Sequence, residues 1–251
     1  MSRTKTHVPH IRFDRALELI TLAAFALASC PHAASAEALS SPVVRQVGMS
    51  VRGRPIAMVS VGSGPRKVLV VGGIHGNEAG ASVADRFAAY LLANPSAVAS
   101  GTQVDIVICA NPDARARSRR TNARGVDLNR NFPSRNWRRF STRLGSSGWR
   151  RASEPETRAL VQVLAGGYVQ VVALHSKGSI VDYDGPGGLS LARRVSAASG
   201  LRVVRLSRFR RYRGSLGSYV PERYGIPVVT FELKDRALRW RLIQGLLAAV
   251  N

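Results

Sequence analysis

Apolar and polar positions along this chain switch repeatedly between a strand-like and a helix-like period. Val43–Val51 and Ile56–Val61 flank Gly53-Arg54-Pro55 and read as an edge hairpin. Lys67–Val71 ends in an unbroken apolar run, the mark of a strand covered on both faces. A helix is predicted from about Glu78 to Ala93, followed by a strand over Thr102–Cys109 that alternates before becoming wholly apolar. Residues 111–152 show no sustained period and are rich in Arg, Asn, Ser and Gly; so long a stretch inside a domain is usually functional. Ser153-Glu154-Pro155-Glu156 starts a helix by cap-and-proline chemistry, running to about Ala165. Beyond it the pattern predicts a strand at Tyr168–Leu174, a helix at Leu189–Ala198 and a strand at Leu201–Leu206. A short helix at Ser215–Tyr224, a buried strand at Pro227–Leu233 and a closing helix at Arg236–Val250 complete it.

Strands alternating with helices predict one α/β domain, a mixed and mostly parallel sheet with helices on both faces. In such sheets ligands bind beyond the carboxyl ends of strands. His75 and His175 each follow a predicted strand, and Glu232 lies at the end of another.

The N-terminal region is different. Residues 1–15 are polar with Arg3, Lys5, Arg12 and Arg15, Ala16–Ala28 is mostly apolar, and Ala34-Ser35-Ala36 has the small-x-small form of a cleavage site. Residues 1–36 therefore read as an export signal, too short for a membrane span, which leaves a periplasmic domain of residues 37–251. Leu27-Ala28-Ser29-Cys30 offers an alternative, a lipobox in which a lipidated Cys30 anchors the protein. No other segment approaches a membrane-spanning length. Cys109 would be the only cysteine of the mature chain, so no internal disulfide is expected there and inert packing is its default role.

Thirty-seven basic residues against 15 acidic give a net charge of +22, and only four of the basic residues are lysine. Such a surface favours polyanions. Export argues against nucleic acid as the partner. A carboxylate-rich cell wall suits the planar fork of arginine better.

Of five histidines, only His75 and His175 lie beyond the leader. His75 belongs to Gly72-Gly73-Ile74-His75-Gly76-Asn77-Glu78, whose glycines permit a sharp strand-to-helix turn that aims His75 and Glu78 at one point. His-x-x-Glu alone is weak evidence. With His175 it makes a His2Glu set, the donor type of catalytic zinc sites that keep a position open for water. Glu232 sits in an apolar run, where an unpaired carboxylate is costly; a salt bridge or a base beside a metal would each explain it.

Further motifs follow in order. They are Asn111-Pro112-Asp113, Arg120-Thr121-Asn122, Gly125-Val126-Asp127-Leu128-Asn129-Arg130-Asn131-Phe132-Pro133, Ser153-Glu154-Pro155-Glu156-Thr157, Gly214-Ser215-Leu216-Gly217-Ser218 and Thr230-Phe231-Glu232-Leu233. With the His75–Glu78 turn, they make the chain resemble the zinc carboxypeptidase family of the carboxypeptidase A type, and within it the murein peptide amidases, over about residues 65–235.

The resemblance implies a zinc carboxypeptidase-like fold and one Zn2+ per chain, held by His75, Glu78 and His175. It implies that Asp127 orients the His75 imidazole, that Arg120 polarises the scissile carbonyl, and that Asn129 and Arg130 hold a terminal carboxylate. Glu232 matches the general base. A mobile tyrosine precedes the Gly-Ser-x-Gly-Ser turn in the family; ungapped alignment puts Arg210 there, with Tyr212 two residues on as the other candidate substrate-binding residue. Ala114, Lys234 and Ser176-Lys177-Gly178 depart from the family pattern. Arg208-Phe209-Arg210-Arg211-Tyr212-Arg213 is either a solvated charge run or a cationic rim selecting substrates with extra carboxylates.

The expected function is hydrolysis of an amide next to a free carboxylate in peptidoglycan-derived peptides, such as a γ-D-Glu–diaminopimelate bond. Two alternatives stand beside it. One is a zinc deacylase of N-acyl amino acids, of the aspartoacylase or succinylglutamate desuccinylase type. The other is a non-catalytic basic protein that binds the cell wall.

Overall fold

The computed structural model describes residues 43–176, 178–206, 212–234, 237 and 239–251. Its elements begin with β1 (Val43–Met49), β2 (Pro55–Gly62), β3 (Arg66–Val71), α1 (Gly80–Ala93) and β4 (Thr102–Val107). A long connection follows, carrying the short helix α2 (Pro112–Ala116), a 3-10 turn at Leu128–Arg130 and the small hairpin β5 (Ser141–Thr142) and β6 (Gly145–Ser146). Then come α3 (Pro155–Leu164), β7 (Gln170–His175), β8 (Ile180–Asp184), α4 (Gly188–Ser199), β9 (Arg202–Val204), α5 (Leu216–Tyr224), β10 (Val228–Glu232) and α6 (Trp240–Val250).

Eight strands form one sheet in the order β1-β2-β4-β3-β7-β10-β8-β9. The central four, β4, β3, β7 and β10, run parallel, while β2 is antiparallel to β4 and β8 to β10. The predicted mixed, mostly parallel sheet is therefore the observed one. Alternate residues of each strand feed two cores. Val68, Val70, Val172, Leu174, Val229 and Phe231 meet α1, α4 and α6 on one side. Leu69, Val71, Val171, Ala173 and Val228 meet α3, α5 and Leu128 and Phe132 of the long connection on the other. Phe87 and Leu91 of α1 are fully buried, each worth roughly 1.5–3 kcal/mol relative to exposure.

Four local differences from expectation have physical causes. β8 was not anticipated, because Asp182 and Asp184 occupy alternate positions of a strand only five residues long. The connection over 111–152 holds elements too short to show a period. Helix α3 has Pro155 in its first turn as expected, but Ser153 does not cap it. Its Oγ instead donates to Glu154 Oε1 at 2.7 Å, and Glu154 at the cap position makes no side-chain cap bond. Cys109 lies just past β4 and is only partly covered; burial pushes its thiol pKa up.

The leader, Cys30, Lys177 and Arg208–Arg211 lie outside the described residues. Among the described residues no helix is long and apolar enough to cross a membrane.

Candidate active site

The sharp turn after β3 depends on two glycines. Gly73 has a φ of +65°, and a side chain on Gly76 would run into the backbone of Ala114 and Arg115. This close fit presents His75 at the carboxyl edge of the sheet and lets Glu78 fold back before α1 begins. The Ala79 N–H at the start of α1 is accepted by Ser176 Oγ at 2.9 Å, and Glu78 Oε2 accepts the Ser176 N–H at 3.1 Å. Ser176 thus ties the His75–Glu78 turn to the end of β7, where His175 sits.

Both imidazoles point Nδ1 inward. His75 Nδ1 lies 2.9 Å from Glu78 Oε1, His175 Nδ1 lies 2.9 Å from Glu78 Oε2, and the two Nδ1 atoms are 3.2 Å apart. All three side chains are buried. On the far side, His75 Nε2 donates to Asp127 Oδ1 at 2.8 Å. That contact puts the proton on Nε2 and leaves the Nδ1 lone pair facing a carboxylate, an arrangement that requires a cation or a shared proton between them. Donors about 2.0–2.1 Å from a tetrahedral zinc lie roughly 3.3 Å apart, close to the observed spacings. Two imidazole nitrogens and one carboxylate therefore fit a zinc ion.

The same contacts set the electrostatics. Burial acts against charge on His75, yet its hydrogen bonds to Asp127 and Glu78 outweigh burial and raise its pKa. Burial would raise the pKa of Glu78, but the two histidines hold it well below the usual carboxylate range. Asp127 is likewise held low, against burial, by His75 and by the charges of Arg120 and Arg130.

Arg120 is anchored by two carboxylates: Nε donates to Asp127 Oδ2 at 3.0 Å and Nη1 to Glu78 Oε1 at 3.1 Å, with 30% of its side chain exposed. Asn129 is committed at both ends, its Oδ1 accepting Leu216 N–H at 2.9 Å and its Nδ2 lying 3.3 Å from His175 Nε2. Arg130 donates to the Asn129 carbonyl at 2.7 Å, and its guanidinium stacks 5.2 Å from the centre of the Tyr212 ring. Tyr212 therefore belongs to the same wall as Arg130. Glu232 is half-buried at the end of β10, opposite His175 in the β10–β7 register. Burial pushes its pKa up; His175 pulls the other way and the Glu78 charge reinforces burial.

Sequence reasoning missed what holds the long connection in place. Asn122, between Arg120 and Asp127, donates to Glu154 Oε2 at 2.8 Å and Glu156 Oε2 at 3.2 Å, while its Oδ1 accepts the N–H groups of Arg124 and Val126. Glu156 also accepts Val51 N–H at 3.0 Å. Asn131 pins the rear of the segment to Ser147, Arg150 and Ser153. The signal was present as Asn122 in the Arg-Thr-Asn frame, but its partners lie 32 and 34 residues away.

A buried two-histidine, one-glutamate cluster thus lies at the carboxyl edge of the mixed sheet, the donor set of a zinc site. Residues 35–186 match the family model described as zinc carboxypeptidase, and the chain belongs to that family. It is 32% identical over 201 residues to murein peptide amidase A of Vibrio campbellii, covering 74% of this chain and 77% of that protein. To murein peptide amidase A of Escherichia coli (strain K12) it is 35% identical over 136 residues, 49% of this chain; the match spans only 54% of that relative's length. The crystal structure of a murein-tripeptide amidase from Escherichia coli O157 superposes with a TM-score of 0.67 at 25% identity, over 82% of this chain and 91% of that one. The chain thus has the zinc carboxypeptidase fold around a buried His2Glu cluster, and the family match favours neither the deacylase nor the non-catalytic alternative.

Proposed function

We propose that this protein is an exported zinc-dependent peptidase that hydrolyses an amide next to a free carboxylate in peptidoglycan-derived peptides, a γ-D-glutamyl–diaminopimelate bond being the preferred case. The observation that carries the reading is the convergence of His75 Nδ1, His175 Nδ1 and Glu78 within hydrogen-bonding distance of one another. Support for the substrate comes from the murein peptide amidases among its relatives. Export rests on the leader pattern of residues 1–36.

His75, Glu78 and His175 would hold one zinc per chain, which when bound supplies Lewis acidity and a water of lowered pKa. Asp127 fixes the His75 ring, keeping Nδ1 free for coordination. Glu232, with a pKa raised by burial, accepts a proton from the attacking water and delivers it to the departing nitrogen. Arg120 stabilises negative charge developing on the carbonyl oxygen, a contribution of roughly 2.7–4 kcal/mol by analogy with single oxyanion donors. Arg130 takes the substrate carboxylate in its planar fork, with Tyr212 packed over it. Asn129, adjacent to Arg130 in the chain, would share the substrate carboxylate with it. Its amide lies 3.3 Å from His175 Nε2, the ring nitrogen that would not hold the metal.

The test is product analysis with a γ-D-Glu–diaminopimelate peptide, in the presence and absence of chelator, for the wild type and Glu232→Gln. Cleavage that needs metal and Glu232 is the expected result. Release of ordinary C-terminal residues with none from this peptide would leave the fold and overturn the substrate.

A further inference from the structure

The outer part of the long connection, residues 135–151, supplies no group to the His75–Glu78–His175 cluster. No Asp or Glu occurs between Asp127 and Glu154, whereas Arg135, Arg138, Arg139, Arg143, Arg150 and Arg151 all do. Glu222 pairs with Arg135, and the other five arginines, all exposed, make no ion pair among the described residues. Two large apolar side chains face solvent among them. Leu144 is 73% exposed at the turn of the β5–β6 hairpin, and Trp149 is 63% exposed just after it.

Hydrogen bonds hold this segment in one shape. Phe140 N–H donates to Ser147 Oγ at 2.9 Å, and Ser147 N–H donates back to the Phe140 carbonyl at 3.0 Å. The buried Asn131 amide donates to the Ser147 and Arg150 carbonyls at 2.8 and 3.1 Å. Trp137 Nε1 donates to the Ser147 carbonyl at 3.3 Å, and the Arg151 guanidinium lies 6.0 Å from the centre of the Trp137 ring. The Arg150 guanidinium lies 4.7 Å from the centre of the Trp149 ring. These contacts draw residues 137–151 into one patch that is ordered before any partner arrives. The patch also leans on the site. The Ser146 carbonyl accepts the Asp127 N–H at 2.9 Å, and a side chain on Gly214 would run into Trp137 and the Arg130 carbonyl.

We propose that this patch docks the protein on an anionic phospholipid surface, with Leu144 and Trp149 entering the interface and the five arginines on the phosphates. The inference is independent of the peptidase reading. Arginine forks match phosphate oxygens, and each cation near such a surface adds attraction. Tryptophan suits a boundary that is apolar on one side and wet on the other, and arginine stems lie along apolar surface while their heads stay in water. Leu144 decides between partners. A soluble polyanion or a wall glycan offers charge and polar groups, which reward the arginines and leave an exposed aliphatic side chain without gain; acyl chains reward both. Docking in this way keeps the segment that carries Asp127 and Arg130 next to the bilayer.

The experiment measures sedimentation of the full protein with vesicles of phosphatidylcholine alone or mixed with phosphatidylglycerol. Saturable binding to the mixed vesicles, and none to phosphatidylcholine, is the expected result. Leu144→Ser combined with Trp149→Ser keeps the charge and weakens that binding roughly tenfold to a hundredfold. Arg143→Gln weakens it about fivefold. Neither change moves the melting temperature, because all three side chains are exposed. With the mixed vesicles, tryptophan emission moves to shorter wavelength in the wild type and not in Trp149→Phe, which assigns the contact to the patch rather than to the N-terminal region or the net charge. No binding, equal binding to both vesicle types, wild-type binding by the double variant, or an emission shift retained in Trp149→Phe would overturn the proposal. Binding to insoluble peptidoglycan with none to vesicles would also overturn it and make the patch a wall contact.

Discussion

On one side of the sheet, α1, α4 and α6 lay Phe87, Leu91, Leu191, Val195 and Leu246 over Val70, Val172 and Phe231, and the contact is almost wholly apolar. On the other side, α3 and α5 share the cover with the connection over residues 111–153. There Asn111, Asn122, Asp127, Asn131, Ser147, Ser153, Glu154 and Glu156 are all buried and polar. The apolar side needs volume and tolerates some rearrangement. The polar side fixes directions, because a hydrogen bond contributes only about 0.5–1.5 kcal/mol net whereas a buried group left unpaired costs about 1–3 kcal/mol. The site groups His75, Glu78, Asp127, Arg120, Asn129 and Arg130 are ordered against the polar side, where reactive atoms are held in place rather than merely packed.

Substitutions on the two sides should therefore separate activity from stability. The largest effect is expected for Glu232→Gln, which lowers kcat by about 10²–10⁴-fold with zinc content and melting temperature unchanged, measured by steady-state kinetics and metal analysis. Next, Leu91→Ala on the apolar side costs about 2–5 kcal/mol in urea denaturation while kcat/KM of the folded fraction stays at the wild-type value. A loss of kcat/KM there would break the division between the sides. Asp127→Asn weakens zinc affinity by about 10–100-fold, read by competition with a chelator of known affinity. Asn122→Ala lowers both stability, by about 1–3 kcal/mol, and kcat, because it releases Glu154, Glu156 and the segment between Arg120 and Asp127 together.

The smallest effect is on pH dependence. Burial raises the pKa of Glu156, with its bonds to Val51 N–H and Asn122 opposing and the Glu154 charge adding. A raised folded-state pKa contributes stability that is fully present below the unfolded value of about 4.3 and is lost as pH rises through the folded value. Across that window the wild type should lose stability relative to Glu156→Gln. A difference between the two that grows in the opposite direction would contradict the burial argument.

The parallel strands and the His75–Glu78 turn were legible because each is written in a few adjacent residues, an apolar run followed by glycines and donors. Position after a strand was also enough to bring His175 and Glu232 to the same sheet edge. The order within residues 111–153 was not legible, since it comes from pairs such as Asn122 with Glu154 and Asn131 with Ser147 that leave no period. β8 was hidden for a related reason, as aspartates at alternate positions of a short segment resemble a loop until the partner strand is known. The amide of Asn129 between His175 and Leu216, and the Tyr212 ring over Arg130, depend on contacts spanning 46, 87 and 82 positions.

Zinc X-ray absorption on purified protein, with the metal quantified on the same sample, tests the central assignment most directly. The account predicts one zinc per chain with two imidazole nitrogens and carboxylate oxygen in its first shell, the imidazole signal falling to one in His175→Ala. Sub-stoichiometric zinc, or a first shell without two imidazoles, would contradict it.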